Sequence, residues 1–302
     1  MVEQPLLRTR GAQPGPPRLP RHRAAERKPG FAPSFRALGA LAYQGARVSV
    51  AVVDLDSGTT AFAVDERLVL PTASIGKILL LIEVSARLTE RSVSDFAIAD
   101  RSMQDAVADS GIWQHLQAPA LPIADLAALV GATSDNLATN VLLRQIGLDA
   151  VRSRTERLGL VRTALLDRVR DVRGPDDAPQ LSVGSAAELA WLFQALASDQ
   201  IVDAATSRRV LSWLSLNSDL SMVASAFGRD PLSHRGVEHN TWMVNKTGTD
   251  LGVRSEAGLL RGPRTGVAYA VSVHFDDADL PARLRVMDAL RTLGIDLLEY
   301  VH

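Results

Sequence analysis

The spacing of apolar positions changes several times along this chain, and each change marks an element. Ser34–Gly45 has helical spacing, with Ser34 as a candidate N-cap. Arg47–Asp54 and Thr59–Val64 are rich in Val, Ala and Thr and read as strands. Asp56-Ser57-Gly58 between them is a hairpin signature. From Thr72 to Leu216 the helical period returns, in Ile75–Leu88, Ile123–Val130, Asn136–Ile146, Ala150–Leu158 and Ala186–Ala197. Gly147 and Gly159 fall where helix C-caps are expected. Arg168–Gln180 has no period, contains Gly174, Pro175 and Pro179, and reads as a loop. Strand character resumes in Thr241–Lys246, Ser255–Leu260 and Val267–Phe275, and a final helix covers Leu280–Tyr300.

Strands at both ends of the chain and helices in between imply an α+β fold. An antiparallel sheet, flanked by the N- and C-terminal helices, stands beside an all-helical domain, with the active site expected in the cleft between them. The expected division is a sheet domain over 32–71 and 238–302, a helical domain over 72–237, and a Pro/Arg-rich disordered tail over 1–31.

Composition narrows the function. The 302 residues are 46% apolar and 22% charged, an ordinary globular balance with a net charge of -1, which gives no reason to expect nucleic acid as a partner. The tail holds seven Lys/Arg against Glu3 and Glu26, or +5, which leaves -6 for the rest. There is no cysteine, so disulfides and thiolate chemistry are excluded. No apolar run approaches the ~20 residues of a membrane span, and no apolar segment follows the early basic residues as in a signal peptide. As written, the chain is expected to be a cytoplasmic monomer without membrane contact, exported only if the true N-terminus differs.

Lysine usage carries the first chemical clue. Of 33 basic residues only Lys28, Lys77 and Lys246 are lysine. An ammonium group can be desolvated and lose its proton near neutral pH, whereas a guanidinium cannot, so the two lysines outside the tail suggest a task that arginine cannot perform. Lys77 follows Ser74 by three residues, in Thr72-Ala73-Ser74-Ile75-Gly76-Lys77 after Pro71. On a helix that spacing puts both side chains on one face, where a neutral lysine can act as base for a serine nucleophile. Two further motifs follow in order: Ser134-Asp135-Asn136 between two apolar helices, and Lys246-Thr247-Gly248 closing a strand.

Ser-x-x-Lys, Ser-Asp-Asn and Lys-Thr-Gly together make the sequence resemble a class A β-lactamase or related penicillin-binding protein, from about residue 35 to the C-terminus. Asp109-Ser110-Gly111-Ile112-Trp113, Asn136–Leu143 and Gly252-Val253-Arg254 agree. The resemblance implies that Ser74 attacks the substrate carbonyl and that Lys77 takes or relays its proton. Ser134, assisted by Lys246, passes a proton to the leaving nitrogen. Asn136 binds the substrate amide, and Thr247 with Arg254 holds a substrate carboxylate beside Gly248. The backbone N–H groups of Ser74 and Thr249 form the oxyanion hole. Trp113 either walls the cleft or packs as a core aromatic.

The family pattern breaks at one point. Class A β-lactamases carry a loop glutamate that activates the deacylating water. Here no Glu lies between Glu156 and Glu188, and in Leu166-Asp167-Arg168-Val169-Arg170-Asp171 the expected position is Arg170, or lies within two or three residues of it in other registers. Arginine cannot act as the base. Asp171 is a candidate substitute; salt bridging with neighbouring arginines is the other reading for Asp167, Asp171, Asp176 and Asp177. The expectation is an enzyme that forms an acyl-enzyme on Ser74 with a β-lactam or related amide or ester and deacylates slowly. A peptidase, esterase or amidase using the same Ser-Lys chemistry, and a non-catalytic β-lactam-binding module, are the alternatives. No cofactor is expected. The histidines (His22, His115, His234, His239, His274, His302) form no helical pair that suggests a metal.

Overall fold

The computed structural model describes residues 30–94 and 96–302. The expected tail therefore lies outside the described residues except for its last two positions. Five strands form one antiparallel sheet in the order β2-β1-β10-β9-β8: β1 Arg47–Asp54, β2 Thr60–Val64, β8 Trp242–Asp250, β9 Val253–Arg261 and β10 Gly266–His274. The chain's two ends meet where β1 pairs with β10, from Arg47↔His274 to Asp54↔Val267.

Alternation along the strands decides what packs on each face. Val48, Val50 and Val52 of β1 and Val267, Tyr269, Val271 and Val273 of β10 point to one side. There they pack on Leu38 and Leu41 of α1 (Ala32–Tyr43) and on Leu290, Leu293 and Leu297 of α8 (Leu280–Val301). Small residues, Ala51, Ala257, Ala268 and Ala270, point to the other side, so α6 (Ala186–Ala197) approaches closely and buries Leu192, Phe193 and Leu196 there. The sheet is thus buried on both faces. Among the described residues no helix is long and apolar enough to cross a membrane.

The remaining helices are α2 Lys77–Thr89, α3 Ile123–Thr133, α4 Asn136–Ile146, α5 Leu148–Arg157 and α7 Ala204–Leu214. Almost the whole of α2 is buried, which accounts for its run Ile78 to Ile82 being apolar on every side. Minor strands pair locally: β3 Leu70–Pro71 with β7 Ser182–Gly184, β6 Ala164–Leu165 with β7, and β4 Ile98–Asp100 with β5 Ala120–Pro122.

Four local expectations change. Ser34 is not an N-cap; it lies inside α1, and its N–H and Oγ both donate to the buried Asp296 carboxylate, at 2.9 and 2.5 Å. The helix expected from Ile75 begins as an α-helix only at Lys77, after a 3-10 turn over Ala73–Gly76. Lys246-Thr247-Gly248 sits within β8 rather than at its end, because pairing with β9 continues to Asp250↔Val253. Helix α7 has no counterpart among the expected elements.

Candidate active site

The nucleophile candidate stands on a strained turn. Ala73, just before Ser74, has φ +47°, a conformation that non-glycine residues seldom adopt. Its carbonyl accepts from Ser182 Oγ at 2.6 Å, and Ser182 Oγ also lies 2.7 Å from Thr72 Oγ1, so β7 locks the turn from behind. Gly248 presses on it from the sheet: a Cβ there would stand 2.1 Å from the Thr72 carbonyl oxygen. Ser74 is half-buried and borders both a cleft of ≈ 730 Å³ and an adjoining recess of ≈ 150 Å³.

Lys77 is fully buried behind Ser74. Its Nζ lies 2.6 Å from the Ser134 carbonyl oxygen, 2.6 Å from Asn136 Oδ1 and 3.1 Å from Ser134 Oγ. The first two partners can only accept. A neutral amine satisfies them with its two protons and takes the Ser134 hydroxyl as a donor to its lone pair. Burial, and then the nearby Lys246 charge, hold the Lys77 ammonium well below its ordinary pKa, against the pull of Asp135 and Asp109.

The Ser134-Asp135-Asn136 segment is fixed by its own backbone. Ser134 ends α3 in the left-handed conformation, φ 54°, and Asp135 N-caps α4 by accepting from Ala138 N at 2.9 Å. The other Asp135 oxygen accepts from Ile112 N and Trp113 N, both at 2.8 Å, binding the 109–113 loop to the helix junction. Gly111 has φ +116°, and a Cβ there would stand 2.4 Å from the Asp135 carboxyl carbon, so a larger residue does not fit. Asn136 Nδ2 donates to the Ala108 carbonyl at 3.0 Å, leaving its Oδ1 on Lys77.

From the sheet side, Lys246 is also fully buried and donates to its neighbour's carbonyl, Thr247 O, at 2.7 Å. Burial brings its pKa down to about 8, with the Asp219 charge opposing. Thr247 and Thr249 line the recess with Ser74 and Ser134. Arg254 borders the larger cleft, but its Nη1 donates to Asp250 O and Val253 O, both at 2.8 Å, while Nη2 faces Asp277 at 3.6 Å. Trp113 does not wall the cleft. It is fully buried, donates Nε1 to Ala118 O at 3.0 Å and carries the Arg101 guanidinium over its ring. Of its two readings, the core aromatic holds.

The loop after β6 borders the cleft opposite the sheet. Asp167 is its anchor: it accepts from Arg170 Nε and Arg173 Nη1, each at 2.7 Å, and Arg170 Nη2 reaches Asp177 at 2.9 Å. Burial works to raise the Asp167 pKa, but bonds from Arg170, its neighbour's N–H and Arg173 hold it below the usual carboxylate value. Asp171 is exposed, borders the same cleft as Ser74, and its Oδ1 accepts from Ala108 N at 2.9 Å. Asn140 pins the loop backbone, accepting from Val169 N at 2.9 Å and donating to Val169 O at 3.0 Å.

Sequence reasoning missed the wall formed by Asn217, Ser218 and Asp219, and the buried carboxylate beneath it. Glu256 accepts from Tyr269 OH at 2.7 Å, Val223 N at 2.8 Å and Asn245 Nδ2 at 2.9 Å. An acid within the apolar run Ser255–Leu260 was the available signal. Among the described residues no group of three His, Asp or Glu is placed to hold a metal.

Residues 31–301 match the beta-lactamase enzyme family. A beta-lactamase from Sphaerobacter thermophilus DSM 20745 superimposes with a TM-score of 0.77 at 23% identity, covering 89% of this chain and 96% of that one. PBP-A superimposes with a TM-score of 0.73 at 18% identity, covering 87% and 93%. A PBP-A mutant solved as an acyl-enzyme complex with penicillin G gives 0.71 at 19% identity, covering 87% and 94%. None of the curated proteins matches this chain. At these identities the solved structures share the fold.

Proposed function

The chain belongs to the beta-lactamase enzyme family and is a serine hydrolase, and from that premise we propose that Ser74 is acylated by a β-lactam or a related amide or ester and is released slowly. Ser74 Oγ attacks the carbonyl carbon while its proton passes to neutral Lys77 Nζ. The carbonyl π pair moves to oxygen, where the backbone N–H groups of Ser74 and Thr249 receive it. As the tetrahedral centre collapses, the C–N or C–O bond breaks. The leaving atom takes the Ser134 proton, and Ser134 recovers one from the Lys77 ammonium, with the Lys246 charge assisting.

The observation that carries this reading is the buried Lys77 amine, held by two pure acceptors and one hydroxyl. A permanently charged lysine there would be costly to bury, and a neutral one is a base aimed along the Ser134 hydroxyl. Slow release rests on the loop. At the position where the family's deacylating carboxylate is expected, Arg170 is tied into ion pairs with Asp167 and Asp177. Asp171 is the one carboxylate of that loop segment bordering the cleft, and its Oδ1 is engaged by Ala108 N.

The same loop favours a second reading, a peptidase, esterase or amidase acting on a substrate other than a β-lactam, for which rapid hydrolysis of a β-lactam acyl-enzyme was never required. Nitrocefin cleavage by the unaltered chain and by Ser74→Ala tests the acyl-transfer reading. Chromophore release that vanishes in Ser74→Ala supports it; equal release from both chains contradicts it.

A further inference from the structure

The recess beside Ser74 has an unusual electrostatic make-up. Most of its lining residues bear hydroxyls, Ser74, Ser134, Thr247 and Thr249 among them, and Asp219 is the charged residue that borders it. A substrate group held on the Ser134 side of the scissile carbonyl would enter this recess and meet Asp219.

Asp219 is not a passing surface acid. Its carbonyl accepts from Asn217 Nδ2 at 3.0 Å and from Asn245 Nδ2 at 3.2 Å, and its N–H donates to Asn217 Oδ1 at 3.4 Å. The two asparagines are themselves joined at 2.8 Å, and Asn245 is held by the buried Glu256. The Asp219 main chain is therefore clamped to β8. Its side chain is oriented as well: Oδ1 accepts from Ser221 N at 3.1 Å and Ser221 Oγ at 2.6 Å. The Asp219 charge supports the Lys246 ammonium against burial. Arg254, a cation of the larger cleft, has its Nη1 donating to Asp250 O and Val253 O and its Nη2 paired with Asp277 at 3.6 Å. The recess thus holds a fixed anion beside Ser74 and Ser134; of the neighbouring cations, Lys246 donates to Thr247 O and Arg254 to Asp250 O and Val253 O.

We infer that Asp219 determines specificity at this recess, setting the enzyme against a substrate carboxylate and in favour of leaving groups that are uncharged or bear an amine. This rests on the reading of Ser74 as the acylated residue, and it revises the expectation that Thr247 and Arg254 hold a substrate carboxylate.

The test compares non-covalent binding of benzylpenicillin and of its methyl ester, which differ by one charge. Calorimetry is run on Ser74→Ala, with and without Asp219→Asn, so that the result does not depend on acyl transfer. Asparagine keeps an acceptor for Ser221. The methyl ester should bind the Asp219 chain at least as tightly as the free acid. Asp219→Asn should strengthen binding of the acid by about tenfold, the size of one partly screened charge pair, and change the ester less than about twofold. In the chain retaining Asp219, molar salt should shrink the preference for the ester. An unchanged acid-to-ester ratio, or failure of both forms to bind, overturns the inference. Failure of the acylation reading shows instead as equal nitrocefin cleavage by Ser74→Ala.

Discussion

Lys77 Nζ lies 2.6 Å from Asn136 Oδ1, inside the protein, so the side chain proposed to face the substrate amide also orients the base. Replacing Lys77 by arginine puts a permanent charge where a neutral amine stands and removes the capacity to accept a proton. Acylation by nitrocefin should fall by about 10²–10⁴, the usual worth of a positioned base. Asn136→Leu should slow acylation too, because it removes an acceptor that orients the amine. Stopped-flow acylation rates check both.

The two buried lysines give a pH signature. Lys246 loses its proton at about pH 8, and the proposed assistance to Ser134 uses its charged form. The acylation rate should therefore decline as pH rises through about 8. In Lys246→Arg the charge persists to far higher pH, and that alkaline limb should disappear. A pH profile of kcat/KM on both chains decides it.

Glu256 should leave its mark on stability rather than on rate. Burial raises its folded pKa to about 7 from an ordinary 4.5, against the donors that favour its ionised form. A carboxyl raised on folding stabilises the fold fully below its unfolded pKa. That contribution is lost as pH climbs from about 4.5 to about 7, on the order of 3 kcal/mol in all. Glu256→Gln should remove this slope from the unfolding free energy, measured by denaturant titration at a series of pH values.

Gly248 tests the packing behind the nucleophile. A methyl group there would meet the Thr72 carbonyl oxygen, and relief requires β8 and the Ala73–Gly76 turn to separate. Gly248→Ala should cost about 1–3 kcal/mol of stability, as overpacking does, and slow acylation as Ser74 moves away from Lys77 and Ser134. Urea unfolding and nitrocefin kinetics on the same sample give both effects.

The chemistry was more legible in the sequence than the local geometry around it. A rare lysine three residues after a serine, followed by Ser134-Asp135-Asn136 and Lys246-Thr247-Gly248, pointed to the groups that meet at the cleft, and the α+β fold followed from strands at both ends. Periodicity failed where burial is polar. Helix α7 buries Thr206 and Ser207 beside Val210, Trp213 and Leu214, which blurs its apolar stripe. Strands β3, β6 and β7 are two or three residues long, too short to display a period. Ser34 has the composition of a cap, yet its hydroxyl serves Asp296 across 262 residues of sequence, a partner no local pattern discloses. Asp219 has no local signal in the sequence, because the clamp of Asn217 and Asn245 around its carbonyl forms only when β8 comes alongside.

The proposed slow release turns on Arg170. Arg170→Glu restores a carboxylate at that position and gives up the ion pairs to Asp167 and Asp177. It should shorten the lifetime of a trapped adduct by about tenfold or more, since general-base assistance is worth at least that. The lifetime is read by mass spectrometry after excess ligand is removed.

Intact-mass analysis of the unaltered chain over time, after mixing with millimolar benzylpenicillin, tests the central claim most directly. The expected result is an adduct of the full penicillin mass, mapped by peptide digestion to the Ser74 segment, absent in Ser74→Ala and persisting long after mixing. Rapid consumption of benzylpenicillin with no adduct at any time would contradict it.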